Sequence, residues 1–254
     1  MNFKLTIEYD GTAYHGWQRQ KNARTIQETI ESAISVMVKA PVRLTGSGRT
    51  DTGVHALGQV ANFYCQKAIP PEAFVAGLNS LLPDDIVIRG CEKVPDEFHA
   101  QYDVKLKTYR YRILNRPIPS AICRQYAWFI PRPLDVTAMR KAAGHLVGTH
   151  DFSSFEASGS PKSHSQRTVH DARVFTQPAD IICFEITATG FLRFMVRNIA
   201  GTLADAGLGK ITPEKFKDIL TAQNRALASP TAPAHGLFLV GVSYADTAAV
   251  PLSR

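Results

Sequence analysis

The ten residues Gly46-Ser47-Gly48-Arg49-Thr50-Asp51-Thr52-Gly53-Val54-His55 hold the densest group of chemically capable side chains in the chain. Three glycines let a backbone come close to another group. Arg49 and Asp51 set a cation and a carboxylate two residues apart, and His55 follows. Four readings compete. A phosphate-cradling loop requires G-x-x-x-x-G-K-[ST]; Gly48 and Gly53 have that spacing, but Val54 and His55 replace the lysine and the hydroxyl residue. A dinucleotide fingerprint requires G-x-G-x-x-G, and Asp51 stands where its third glycine belongs. Asp51-Thr52-Gly53 is the tripeptide of aspartic proteases, whose reaction needs two carboxylates sharing a proton. No second copy occurs in the 254 residues. The last reading is a structural turn, with Asp51 capping a short helix or paired with Arg49. The crowding of Gly, Arg, Asp and His within a basic chain shifts the balance toward function.

The elements that must hold this loop are legible as patterns. Phe3, Leu5, Ile7 and Tyr9 alternate with Lys4, Thr6 and Glu8, which predicts a half-buried strand ending at the turn Asp10-Gly11. A polar, aromatic loop follows from Tyr14 to Gln20. Thr25-Ile26-Gln27-Glu28 reads as a capping box, and Ile30, Ala33, Ile34, Met37 and Val38 make a helical stripe closed by Pro41. Arg43–Ser47 and Gln59–Cys65 read as strands on either side of the glycine-rich loop. Pro71–Leu82 reads as a helix and Ile86–Ile88 as a strand. Val104–Asn115 is a long strand with Lys105, Lys107, Tyr109 and Tyr111 on one face and Arg110 and Arg112 on the other. Charge on both faces predicts a groove or a sheet edge. Asp135–Leu146, Arg193–Ala206 and Pro213–Ala222 read as helices; Val169–Phe175, Ile181–Ala188 and Leu237–Tyr244 read as strands. Glu156–Gln166 is expected to be a mobile loop. Prolines at 117, 119, 131 and 133 place a soft boundary between halves, 1–116 and 117–254. The expected fold class is α+β: two split-βαβ halves, of the ferredoxin and RRM kind, sharing a central, mostly antiparallel sheet flanked by helices.

Composition narrows the function classes. Hydrophobic residues make up 44% and charged residues 20%, ordinary for a globular chain. No apolar run reaches the ~18 residues of a membrane span, and the N-terminus is no secretory leader. Four cysteines at 65, 91, 123 and 183 form no C-x-x-C pair, which argues against a zinc cluster and suits a reducing cytosol. Eight histidines include no H-E-x-x-H spacing, so no metal site is expected. The balance 29 − 22 = +7 favours a polyanionic partner.

Gly48-Arg49-Thr50-Asp51-Thr52-Gly53-Val54-His55 resembles the G-R-T-D-x-G-V-H signature of the tRNA pseudouridine synthase A family. Glu8-Tyr9-Asp10-Gly11, Gly16-Trp17-Gln18-Arg19-Gln20, Phe98-His99-Ala100, Lys107-Thr108-Tyr109-Arg110-Tyr111, His150-Asp151-Phe152, Gln166-Arg167-Thr168 and Phe194-Met195-Val196-Arg197-Asn198-Ile199 follow in the family's order. The resemblance spans nearly the whole chain. It implies an isomerase that turns uridine into pseudouridine at positions 38, 39 and 40 of the tRNA anticodon stem-loop, with no cofactor. Asp51 matches the family's catalytic aspartate and is expected to act as nucleophile, with proton abstraction and charge stabilisation as the alternative roles. Arg197 matches the cation that pairs with it, and Tyr109 matches the active-site tyrosine, with Tyr111 two residues on as its rival. Arg49 is expected to act in base flipping; Arg24, His55, Lys107, Arg110 and Arg167 are the other candidate substrate contacts, His55 with a loop-organising role as its alternative. Lys21, Lys105, Arg112 and Lys162 extend the candidate groove. The resemblance also implies tRNA as partner, a homodimer and a cytoplasmic location. Ala157–His164 matches no pattern of the family.

Overall fold

The computed structural model describes residues 1–157 and 165–245. Within the expected mobile loop, and within the segment 157–164 that matches no family pattern, residues 158–164 lie outside the described residues, and Lys162 with them. The chain forms two compact units, Met1–Lys105 with Phe238–Arg254, and Leu106–Leu237.

In the first unit the strand order is β4 (Ile86–Val94), β1 (Asn2–Tyr9), β3 (His55–Tyr64), β10 (Leu237–Ser243), with the two-residue β2 (Thr45–Gly46) on β3. β1 is antiparallel to both neighbours; β10 joins β3 in parallel, with Phe238 opposite His55. The alternation that predicted β1 buries Phe3, Leu5 and Ile7 completely. Phe3, Phe63 and Phe74 pack ring on ring at 5.0–5.6 Å, tying β1 and β3 to helix α2 (Pro71–Leu81). Helix α1 (Ile26–Val38) starts where the capping box put it: Thr25 accepts from the Glu28 amide. Its buried stripe is Ile26, Ile30, Ile34 and Val38, and Lys39 ends it in the left-handed region.

In the second unit β5 (Leu106–Asn115), β9 (Ile181–Ala188), β8 (Gln166–Gln177) and β7 (Gly148–Asp151) form an antiparallel run, with β6 (Trp128–Ile130) parallel on β5. Helices α3 (Val136–Gly144), α4 (Met195–Gly207) and α5 (Pro213–Thr221) complete it. Register rows explain the burial. Tyr111, Phe184 and Val174 lie opposite one another and are all buried. The next row, Arg110, Glu185 and Arg173, faces the other way.

The α+β expectation with mostly antiparallel pairing holds. Of the edge or groove expected for the charged strand, the edge is not what forms. β5 pairs with β9 from Lys107 to Leu114 and with β6 near its end. Its Arg110 is paired across strands: Arg110 on β5 and Arg173 on β8 both bond the buried Glu185. Among the described residues no helix is long and apolar enough to cross a membrane.

Candidate active site

The Asp51 segment connects β2 to β3, and its backbone is fixed at almost every step. The Ser47 amide donates to the Val60 carbonyl at 2.7 Å, and its hydroxyl bonds Gln59 Oε1 at 2.5 Å. Gln59 Nε2 returns a bond to the Gly48 carbonyl at 3.0 Å. Thr50 is held from two sides. Its hydroxyl meets the Tyr9 phenol at 2.8 Å, and its carbonyl accepts from the Trp17 amide at 3.1 Å. Gly16, at φ +84°, passes so close that a Cβ there would sit 2.5 Å from the Thr50 carbonyl oxygen. After Asp51 the chain turns back, with the Val54 amide donating to the Asp51 carbonyl at 3.2 Å. Gly11 packs against that turn; a Cβ on it would lie 2.0 Å from the Val54 carbonyl oxygen.

This scaffold presents three side chains. Arg49 and Thr52 are exposed, and Asp51 is half-buried between them. His55 is only 2% exposed. Its Nδ1 lies 3.1 Å from the Gly11 amide and 3.0 Å from Asp10 Oδ1, and its ring stacks on Phe238 at 4.7 Å. That is the placement of a residue that organises the loop. Arg24 is exposed and lies over the Tyr14 ring, 4.6 Å from its centroid, with a 3.0 Å bond to the Tyr14 hydroxyl. The Tyr14 hydroxyl donates to Asp85, and burial and that carboxylate hold its pKa well above the usual phenol range.

The second unit gathers a different set, at the end of its sheet where β9 leaves for α4. Tyr109 on β5 is buried and meets Phe191 edge-on at 5.0 Å. Lys107, two residues earlier on the same face, is half-buried, and burial lowers its ammonium to about 8. Arg167, at the start of β8, runs along the turn at Gly190. Phe194 stands at the head of α4 with φ +64°, a strained value for an aromatic residue. The guanidinium carbons of Arg193 and Arg197 lie 4.9 and 5.0 Å from its ring centroid. Arg197 is fixed further by a 2.8 Å bond from Nε to the Ala232 carbonyl. Tyr111 is fully buried, donates to the Pro233 carbonyl at 2.7 Å and packs edge-on against Trp128. Its hydroxyl is thus tied up inside the protein.

Each unit therefore assembles its own subset: Arg24, Arg49, Asp51 and His55 in one, Lys107, Tyr109, Arg110, Arg167 and Arg197 in the other. Arg110 stands apart within its group, bound to Glu185 Oε2 at 2.6 and 2.8 Å. Sequence reasoning missed Tyr9, Thr50, Gly11, Gly16, Trp17 and Gln59 as parts of the loop's frame, and Arg193 as a further exposed cation. The available signal was a pair of glycines, 11 and 16, set among aromatics where a plain turn needs neither.

A family model described as tRNA pseudouridine synthase matches residues 5–103 and 142–245. The chain is 50% identical over 243 residues to "tRNA pseudouridine synthase A" of Thermoanaerobacter sp. (strain X514), covering 96% of this chain and 99% of the relative. It is 49% identical over 243 residues to the protein of that name from Acetivibrio thermocellus, with the same coverage. The protein of that name from Bacillus subtilis (strain 168) is 45% identical over 246 residues, 96% of this chain and 99% of the relative.

Proposed function

The chain belongs to the tRNA pseudouridine synthase family, an isomerase family acting on uridine in tRNA, and from that membership we propose that it modifies uridines 38, 39 and 40 of the anticodon stem-loop with Asp51 as the reacting carboxylate. The observation that carries this reading is the Asp51 segment itself. A loop with bonds at 47, 48, 50 and 51 presents one half-buried carboxylate beside one exposed guanidinium.

In the proposed reaction a uridine leaves the helical stack, because its C1′ is out of reach inside a duplex. The Asp51 carboxylate adds at C1′ as the C1′–N1 bond breaks and the electron pair goes to N1. The freed uracil turns until C5 faces C1′. The C5–C1′ bond forms as the carboxylate departs, C5 loses its proton and N1 gains one. The product is an isomer, so atoms and electrons balance without a co-reactant.

Tyr109 and Arg197 are the other residues given catalytic roles, Tyr109 with its ring against the base and its hydroxyl in proton relay. Arg49 enters the gap left by the flipped base or holds its phosphate. Arg24, Lys107 and Arg167 are proposed to meet phosphates. Arg110 and His55, bound to Glu185 and to the Asp10-Gly11 turn, contribute by keeping these surfaces in shape. We also propose a cytoplasmic location and a homodimer; light scattering tests the second point. The main test is incubation with unmodified tRNA followed by site-resolved mapping. Pseudouridine at 38–40 supports the reading, and product only elsewhere overturns it.

A further inference from the structure

We propose that Tyr9 is a positioning residue for the reaction: through the Thr50 hydroxyl, its phenol sets the direction in which the Asp51 carboxylate points. The proposal rests on Asp51 being the reacting group.

The geometry begins in the strand. β1 is out of regular register with β3 at its end: Ile7 lies opposite Gln59, but Tyr9 lies opposite Ala56. A second irregularity falls between Thr6 and Ile7 against β4. Such bulges re-aim a side chain, and they concentrate beside active sites. Here Tyr9 reaches the Thr50 hydroxyl, 41 residues away in sequence, at 2.8 Å. Both residues are buried, at 3% and 8% exposure.

A hydroxyl pair in such a place is costly to leave unmade, so the bond persists. Its consequence falls on the next residue. With its side chain held by Tyr9 and its carbonyl held by the Trp17 amide, Thr50 has little freedom of orientation. Asp51 departs from that fixed point and enters the turn closed by Val54. Neither Thr50 nor Tyr9 has an exposed hydroxyl with which to meet RNA, so positioning is the role that their burial allows. Misplacing a reacting group by an ångström costs on the order of a hundredfold in rate.

Tyr9→Phe keeps the ring and deletes the hydroxyl. Thr50→Val keeps the shape and deletes the partner; Thr50→Ser keeps the hydroxyl. With tRNA as substrate, Tyr9→Phe and Thr50→Val should each lower kcat about tenfold while KM stays within about twofold. Thr50→Ser should restore most of kcat. The double variant Tyr9→Phe/Thr50→Val should be no slower than the worse single one, because both delete one bond. Rates are referred to folded protein, measured by thermal denaturation, so that a loss of stability is not counted as a loss of rate. The proposal is overturned if both single variants keep kcat within twofold of the parent, or if Thr50→Ser is as slow as Thr50→Val. Failure of the underlying reading looks different: Asp51→Ala would then be active, whatever Tyr9→Phe does.

Discussion

In the first unit the segment that carries a carboxylate is fixed by its backbone and by neutral hydrogen bonds: Gln59 to Gly48, Tyr9 to Thr50, the Trp17 amide to the Thr50 carbonyl. In the second unit the candidate residues are cations and aromatic rings: Lys107 under burial, Tyr109 on Phe191, Arg193 and Arg197 over Phe194. The difference follows from what each must hold. On the proposed reaction, one acid has to meet one carbon and needs direction, which short, rigid bonds supply. On the same proposal, a flexible polyanion and a flat base need charge and stacking, which tolerate small displacements.

The comparison breaks most easily in the first unit. Gly11→Ala forces a Cβ to within 2.0 Å of the Val54 carbonyl oxygen. It should cost roughly 3 kcal/mol or more, seen as a Tm lower by about 10 °C, with turnover reduced on the order of a hundredfold. Gly90→Ala, with no atom within 4 Å of its added Cβ, is the control and should match the parent in turnover. Equal Tm values for the two variants would show that the loop is not pinned as described.

The second prediction separates the two tyrosines of β5. Tyr109→Phe should lower kcat by about 10² or more if its hydroxyl relays a proton. Tyr111→Phe loses a buried bond to the Pro233 carbonyl, costs about 1 kcal/mol of stability and leaves kcat within about twofold. The reverse pattern would assign the reaction to the wrong ring.

A third prediction sharpens the second unit's side of the comparison. Burial lowers Lys107 to about 8, below the value of an exposed lysine in the unfolded chain. The folded state therefore disfavours its charge. The resulting cost is present in full below pH ~8, shrinks as pH rises through the folded pKa and is gone above the unfolded value near ~10.4. Lys107→Met should accordingly raise Tm by a few degrees at pH 7, with the gain closing by about pH 10.5, while weakening tRNA binding by about threefold to tenfold at neutral pH. A variant that is both less stable and unaltered in binding would remove Lys107 from the site.

The smallest effect concerns Arg173. It is 57% exposed and shares Glu185 with Arg110. Arg173→Ala should cost no more than about 1 kcal/mol, read from denaturant titration, because Arg110 still neutralises the buried carboxylate. A larger loss would mean that Arg173 carries the pair.

What was legible in the sequence follows the same division. The alternation of Phe3, Leu5 and Ile7 and the Thr25–Glu28 capping box describe local structure, and both elements formed as read. The candidate residues of the glycine-rich loop stood out because side-chain types mark them. Its frame was not. Tyr9, Trp17 and Gln59 act there through backbone amides and carbonyls or through bonds to residues far away in sequence, and no pattern encodes those. The charges on β5 misled for a related reason. Arg110 and Arg112 pointed to a groove or an edge, but Glu185, the partner of Arg110 in register, is 75 residues away. The strand β10 likewise shows seven mainly apolar residues, which announce burial and not which sheet they will join.

The most direct test of the account is a single-turnover assay of Asp51→Ala on unmodified tRNA, with pseudouridine mapped by mass spectrometry and tRNA affinity measured in parallel. The account predicts no pseudouridine at 38–40 and a Kd within about threefold of the parent. Product formed at the parent rate would contradict it.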